Sequence, residues 1–485
     1  MKKCLALLLG VLSIFSGMGM AVAEENASIA NAVKTYGVSK VCNAYHQLIA
    51  LIVEYPEKVE TPSADAYSVI DYDTVEYREA FNVRDQSEAP IVAVYTNDKP
   101  EVRENRQSVP GRFVVVELAE IKGTVEEDGV LKPTTIAGNC TWRRTTEAGT
   151  DGADWKRQDF SKLVFKQKED VKNAAGEVVS PAGVLPTLLF EDLVNLEVDE
   201  FVSDFFTLSN GNQMYYSYWL PKNYDENRQY PMVVSLTGGG GTYRIQPNGD
   251  PRGAHITRDR GAMAWLSAKE DVIVLSPQQC NDPFKSTGDD VMEIVNYFIC
   301  HYSIDPDRVT CIGSSAGGLT WSNILTKPEY AKVFAAYVPC NTHFNGAQTM
   351  YKEEYNVTRM EEAYGFNSYE DYLNPEMEMD DSEYYEEAKQ ALKALVDNKI
   401  NVWIWHGYND ETASCGKGVS MHRILRRIYQ EEGLSEDEIN DLVKLTLIDT
   451  ERFHEMGILS YHMASKVAVS DSDFIDWMLA QTRAD

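Results

Sequence analysis

A series of apolar runs in the second half of the chain leaves little freedom in what it folds into. They are YPMVVSL (230–236), DVIVLSP (271–277), RVTCIG (308–313), VFAAYVP (333–339) and KINVWIWHG (399–407). None alternates cleanly between apolar and polar residues, so each expects burial on both faces, as strands of a parallel sheet do. Helical segments lie between them. DDVMEIVNYFICHY (289–302) sets Val291, Ile294, Val295 and Phe298 on one face, and GGLTWSNILTK (317–327) begins a second helix. Strand, helix and strand in series predict an α/β fold with helices on both faces of a mostly parallel sheet. FFTL and MYYSYWLP ahead of it read as a strand pair. Residues 344–398 break the alternation. EEAKQALKAL within them is a helix, and the rest reads either as an inserted lid over the sheet edge or as a solvated excursion.

The chain changes character near residue 200. Before it, LIALIVEY (48–55), AYSVIDY (66–72), IVAVYTN (91–97), RFVVVEL (112–118) and KLVFKQ (162–167) are short β-branched and aromatic runs broken by polar turns. Spacings of about 15–25 residues without helical period predict an all-β sandwich. No cluster of catalytic residue types occurs there. The expected organisation is a leader over 1–23, a β domain over 24–199 and an α/β domain over 200–485.

The strand RVTCIG runs into CIGSSAGG (311–318). A G-x-S-x-G pentapeptide fits in one frame, Gly313-Ser314-Ser315-Ala316-Gly317, because centring on Ser314 puts Ile312 and Ala316 where glycines are needed. A nucleophile placed on a strained strand-to-helix turn leaves no room for Cβ atoms on either side. Ser315 is therefore the candidate nucleophile, and an ordinary turn into an anion-binding helix N-terminus is the plainer alternative. SLTGGGGT (235–242) follows another strand and lets backbone N–H groups approach a developing oxyanion. Gly238 or Gly239, with the Ala316 N–H, are the expected donors. The run lacks the Lys-Ser/Thr ending of a phosphate-binding loop.

An acid and then a base should follow the serine. NVWIWHGYNDETAS offers Asp410 just past a strand end, with Glu411 as the fallback and His406 as a structural residue. Of the histidines, His422, His454 and His462 alone follow the acid. His422 lies in the amphipathic helix MHRILRRIY, whereas His454 and His462 lie after the strand LVKLTLI (442–448), ahead of the final helix DSDFIDWMLAQ. Either is placed to be the base.

YWLPKNYDENRQYPMVVSLTGGGG, VLSPQQC, YSIDPDRVTCIGSSAGG, FAAYVP, VWIWHGYND and FIDWMLAQ together resemble the α/β-hydrolase esterases of the polyhydroxybutyrate-depolymerase, feruloyl-esterase and predicted-peptidase type. The resemblance spans almost all of 200–485. VEYPEKVE, PIVAVYTND and GRFVVVEL are similar to the immunoglobulin-like domain that precedes some of these enzymes. It implies Ser315 as nucleophile and Asp410 as acid. Members place the histidine about fifteen residues ahead of the tryptophan of the last helix, the distance from His462 to Trp477. The sequence departs from the pattern at Thr237, where a histidine often precedes the oxyanion glycines. It departs again at SYHMAS, which lacks the usual Gly before and Trp after the base. The resemblance implies a serine esterase acting on feruloyl, acetyl or similar small acyl esters. A peptidase on the same fold and an inactive glycan- or partner-binding protein are the competing readings.

MKK followed by CLALLLGVLSIFSG and Ala21-Val22-Ala23 reads as a cleavable signal peptide, which predicts a secreted or periplasmic protein with no membrane insertion. The net charge is −30 and becomes two units more negative once Lys2 and Lys3 are removed. So acidic a chain argues against nucleic acid as a partner. No CxxC and no His/Cys cluster has zinc spacing, so no metal and no cofactor are expected. Cys340 and Cys415, each near a strand end, are placed either for a disulfide or as two buried thiols. The acyl pocket is expected to be shaped by the loop after Gly241, by Trp321 and by 344–398. Oligomeric state is not legible.

Overall fold

A computed structural model describes residues 28–43, 45–71, 88–120, 124–127, 130–133, 143–145, 154–156, 160–239, 255–256, 260–279, 288–342, 368–374, 385–410, 412–458 and 460–483. The leader, Cys140, Cys280, Glu411, the loop after Gly241 and most of 344–384 lie outside these residues.

With short two-stranded sheets beside it, the core of the N-terminal unit lies between two facing sheets. The larger runs in the order 193–195, 34–42, 45–59, 111–118 and 91–97, with the short first strand joining in parallel and the others antiparallel. The smaller pairs 183–184, 163–167 and 67–71. The period of two explains the core. Leu51, Val53 and Tyr55 point into the sandwich with Val114 and Val116, and meet Tyr67, Val69 and Phe165 from the other sheet. Ala50 and Ile52 join Tyr95, Phe113 and Val115 in a separate cluster. The Tyr55 hydroxyl, buried there, bonds to those of Tyr67 and the Gln167 amide oxygen at 2.8 Å each, which removes the cost of an unpaired polar group in the core.

The C-terminal unit is built on one mixed sheet of eight strands: β1 (Val202–Thr207), β2 (Gln213–Trp219), β3 (Tyr230–Leu236), β4 (Ile273–Pro277), β5 (Ile304–Ser314), β6 (Ala336–Cys340), β7 (Asn401–Gly407) and β8 (Val443–Ile448). Their spatial order is β1-β2-β4-β3-β5-β6-β7-β8. β1, β2 and the β2–β4 contact are antiparallel, and every later pairing is parallel.

The apolar runs divide between two faces. Met232, Val234, Cys311, Val402 and Ile404 pack with helices α1 (Asp289–His301), α2 (Ala316–Leu325), α3 (Tyr385–Asp397) and α4 (Gly416–Glu431). Val233, Val274, Ile312, Val338 and Trp405 face the other way, onto Ala464, Val467, Phe474 and Met478. The helix expected inside 344–398 is thus a core element, since Ala388, Leu392 and Leu395 of α3 are fully buried against the sheet.

Of the two placements open to Cys340 and Cys415, the fold has the pair of buried thiols, and the expectation for Trp321 fails. Cys340 and Cys415 form no disulfide. They belong to different clusters, Cys340 under the sheet with Trp405 and Phe453 and Cys415 with Tyr372, Val419 and Leu447. Trp321 does not line a pocket. It is fully buried, packs edge-on against Phe334 and donates its indole N–H to the Ile312 carbonyl at 3.0 Å.

Candidate active site

The site lies where the parallel strands end, the edge at which open α/β sheets gather ligands. β5 stops at Ser314 and α2 begins at Ala316, so Ser315 alone makes the turn. Its φ is 48° and its ψ −116°, a conformation that costs a non-glycine residue about 1–3 kcal/mol. The flanking glycines show why the turn is so sharp. A Cβ on Gly313 would lie 2.6 Å from the Gly317 carbonyl carbon, and one on Gly317 would lie 2.3 Å from the Leu236 oxygen. Any side chain at either position would force strands β3 and β5 away from α2. The Ser315 N–H is held by the Cys340 carbonyl at 2.9 Å. Ser314 is buried below, its hydroxyl accepting from that of Ser465 at 3.3 Å.

Ser315 Oγ–H donates to Nε2 of His462 at 2.8 Å. Nδ1–H of His462 donates to Asp410, 2.9 Å from Oδ1 and 2.8 Å from Oδ2. A carboxylate only accepts, which places the proton on Nδ1 and leaves Nε2 as the acceptor. His462 is partly open to solvent and the Asp410 side chain is closed to it. Glu411, the fallback acid, lies outside the described residues.

Asp410 is more heavily bonded than a lone orienting acid. Oδ1 accepts the Thr412 and Ala413 N–H groups at 2.8 and 2.9 Å. Oδ2 accepts from the Asn341 amide and from Nε2–H of His406 at 3.2 Å. Burial by itself would push this carboxyl up. The hydrogen bonds from His406 and His462, followed by their charges, outweigh it and hold the group well below the usual carboxylate range. His406 is fully buried and shares its proton with the Ala413 carbonyl at 2.8 Å. The absence of a side chain at Gly418 makes room for its ring, since a Cβ there would lie 2.8 Å from Nδ1. His406 is thus structural as expected, but the structure it supports is the acid.

The region expected to carry both candidate bases as a loop is interrupted by α5 (Thr450–Glu455) and α6 (Ala464–Ala468), ahead of the last helix α7 (Ser472–Ala480). His454 sits on α5 and bonds the Tyr461 hydroxyl at 2.9 Å. His462 lies between α5 and α6, over Ser315. Gly238 and Gly239 leave β3 beside the serine: a Cβ on the first would lie 3.4 Å from that of Ser315, and one on the second 4.0 Å from that of Ala316. Ala316 opens α2, where the first turn has N–H groups without intrahelical acceptors. Thr237 is buried. Among the described residues no group of His, Cys, Asp and Glu is arranged to hold a metal ion, and no helix is long and apolar enough to cross a membrane.

Asn341 was not singled out by the sequence. It directly follows an apolar strand, at the same edge as the nucleophile, and that placement is the signal that was available.

Residues 34–180 match the immunoglobulin-like N-terminal domain of esterases, and residues 282–436 match the prolyl oligopeptidase family. The chain has the α/β-hydrolase fold, preceded by a domain that matches the immunoglobulin-like N-terminal domain of esterases. No curated protein matches this chain in sequence. The crystal structure of a thermostable esterase superposes with a TM-score of 0.61 at 19% identity, covering 93% of the hydrolase and 100% of that chain. That likeness supports the two-domain fold. A mutant feruloyl esterase module from Clostridium thermocellum complexed with sinapinate matches at a TM-score of 0.34 and 12% identity over 54% of the hydrolase and 88% of that chain. Oligopeptidase B from Trypanosoma brucei with covalently bound antipain matches at 0.34 and 15% over 66% and 43%. The chain therefore shares the fold of the thermostable esterase.

Proposed function

We propose that the protein is an exported serine esterase that cleaves small carboxylic esters, feruloyl or acetyl esters of plant polysaccharide among them. The observation that carries this is the unbroken chain of short bonds from Ser315 through His462 to Asp410. His462 Nε2 takes the Ser315 proton as Oγ attacks the ester carbonyl. The N–H groups of Gly238 or Gly239 and of Ala316 receive the oxyanion. Asp410 keeps the imidazole in the Nδ1–H tautomer and stabilises the imidazolium that forms. The imidazolium then protonates the departing alcohol, leaving an acyl group on Ser315. Water, deprotonated by the same nitrogen, releases the acid and restores the serine. No cofactor enters any step. The apolar leader supports export to the periplasm or beyond.

The prolyl oligopeptidase match over 282–436 supports a second reading, a peptidase using the same residues. One experiment separates them: feruloyl, acetyl and peptide substrates assayed on wild type and Ser315→Ala, alongside fluorophosphonate labelling. Turnover of esters but not peptides, lost with the serine, is expected. Peptide turnover would select the second reading, and an unlabelled, inactive wild type would reject both.

A further inference from the structure

We propose that Asn341 is a positioning residue of this site, clamping the Asp410 carboxylate to the segment that carries His462. The inference rests on the Ser315–His462–Asp410 reading and deepens it.

Asn341 is 1% exposed and has φ of 49°, a left-handed conformation that asparagine and glycine accept most readily. Its main-chain N–H donates to the Trp405 carbonyl on β7 at 2.9 Å. Its side-chain NH2 donates to Oδ2 of Asp410 and to the Tyr461 carbonyl at 3.2 Å. Its Oδ1 accepts the Ala464 N–H. One side chain thus holds the acid and both neighbours of the segment around His462. The amide is the residue type this needs, because it donates to two acceptors while accepting from a donor.

Among the described residues, the remaining ties on Asp410 come from His462 itself and, on the acid's own side of the site, from His406, Thr412 and Ala413. The His462 N–H bonds only locally, to the Ser460 hydroxyl at 3.1 Å. Removing the amide therefore leaves His462 as the one described hydrogen-bonded link between this segment and the acid, so that the imidazole itself must hold the register between them. A displacement near 1 Å costs about 10²-fold in such a site.

Two variants test this without disturbing the backbone, since glycine and aspartate both tolerate this φ. Asn341→Gly deletes the clamp. Asn341→Asp keeps an acceptor for Ala464 but sets a second carboxylate against Asp410, which also faces His406, His462, Cys415 and Lys417. With p-nitrophenyl acetate, and active sites counted by fluorophosphonate titration, Asn341→Gly is expected to lower kcat about 10–100-fold with KM little changed. Asn341→Asp is expected to move the acid limb of kcat/KM to higher pH, because the added negative charge favours the imidazolium. If Asn341→Gly does not fold, the pH profile of Asn341→Asp decides alone. Wild-type kcat per active site and an unmoved acid limb would overturn the inference while leaving the hydrolase reading intact. A wild type with no Ser315-dependent hydrolysis would overturn both.

Discussion

The ammonium of Lys466, a residue 2% exposed, donates to the main-chain carbonyl of Asn43 at 2.6 Å. Lys466 lies on α6, one turn beyond His462, and Asn43 lies in the turn between the first two strands of the immunoglobulin-like domain. The Asn43 side chain in turn donates to the Met456 carbonyl at 2.8 Å. One turn of the N-terminal domain thus grips, at both ends, the segment that carries His462. Lys466→Ala is expected to cost about 1–3 kcal/mol, the range for losing a charged donor to a buried acceptor, and Asn43→Ala about 1 kcal/mol. Urea titrations of the two variants measure both, and wild-type midpoints would show that the grip carries no stability.

The two serines of the turn separate cleanly. Ser315→Ala is expected to abolish p-nitrophenyl acetate hydrolysis. Ser314→Ala removes only a long hydrogen bond to Ser465 and is expected to retain most of it. Activity in the first variant would place the nucleophile elsewhere.

Gly317→Ala places a Cβ 2.3 Å from the Leu236 oxygen. Overpacking of this kind typically costs about 1–3 kcal/mol. The displaced element is the turn holding Ser315, so activity should fall further than stability does. Thermal melts and rates from the same preparation check this, and an active, undisturbed variant would contradict the close approach.

Two buried histidines make the fold sensitive to acid. Burial pushes His46 down to about 3 and His255 down to about 4, the latter despite its bond to the Ser276 carbonyl. Both stay neutral in the folded protein while the unfolded chain takes up protons below about 6.5. Their contribution is therefore full above that pH and is lost as pH falls towards their folded values. Each adds a slope of about 1.4 kcal/mol per pH unit in that window. Asp410, held below the usual range, begins to add to the loss only below about 3.9. Denaturant midpoints from pH 7 to 4 should fall steadily, and His255→Gln should flatten the curve.

Much of this site is legible in the chain itself, for reasons the structure makes concrete. The glycine frame around Ser315 reflects contacts of 2.3 and 2.6 Å that no other residue permits. The wholly apolar strands reflect two buried faces. Between the two histidines residue chemistry alone could not choose; in the fold His454 sits on α5 and bonds the Tyr461 hydroxyl, whereas His462 bonds Ser315. Asn341 escaped notice because its work depends on three segments that meet only in space. The choice between a disulfide and two buried thiols at Cys340 and Cys415 was open in the sequence because nearness along strand ends says nothing about which side of a sheet a side chain enters.

Val41, from the first strand of the immunoglobulin-like domain, is buried in the same apolar cluster as Phe201, Trp219 and Ile256 of the hydrolase unit. The boundary between the domains is therefore not a seam between two finished interiors. Separating them would open part of the layer beneath Trp405 and Phe474 to water. Heating should accordingly melt both domains in a single cooperative transition, with catalytic competence and N-terminal order disappearing together.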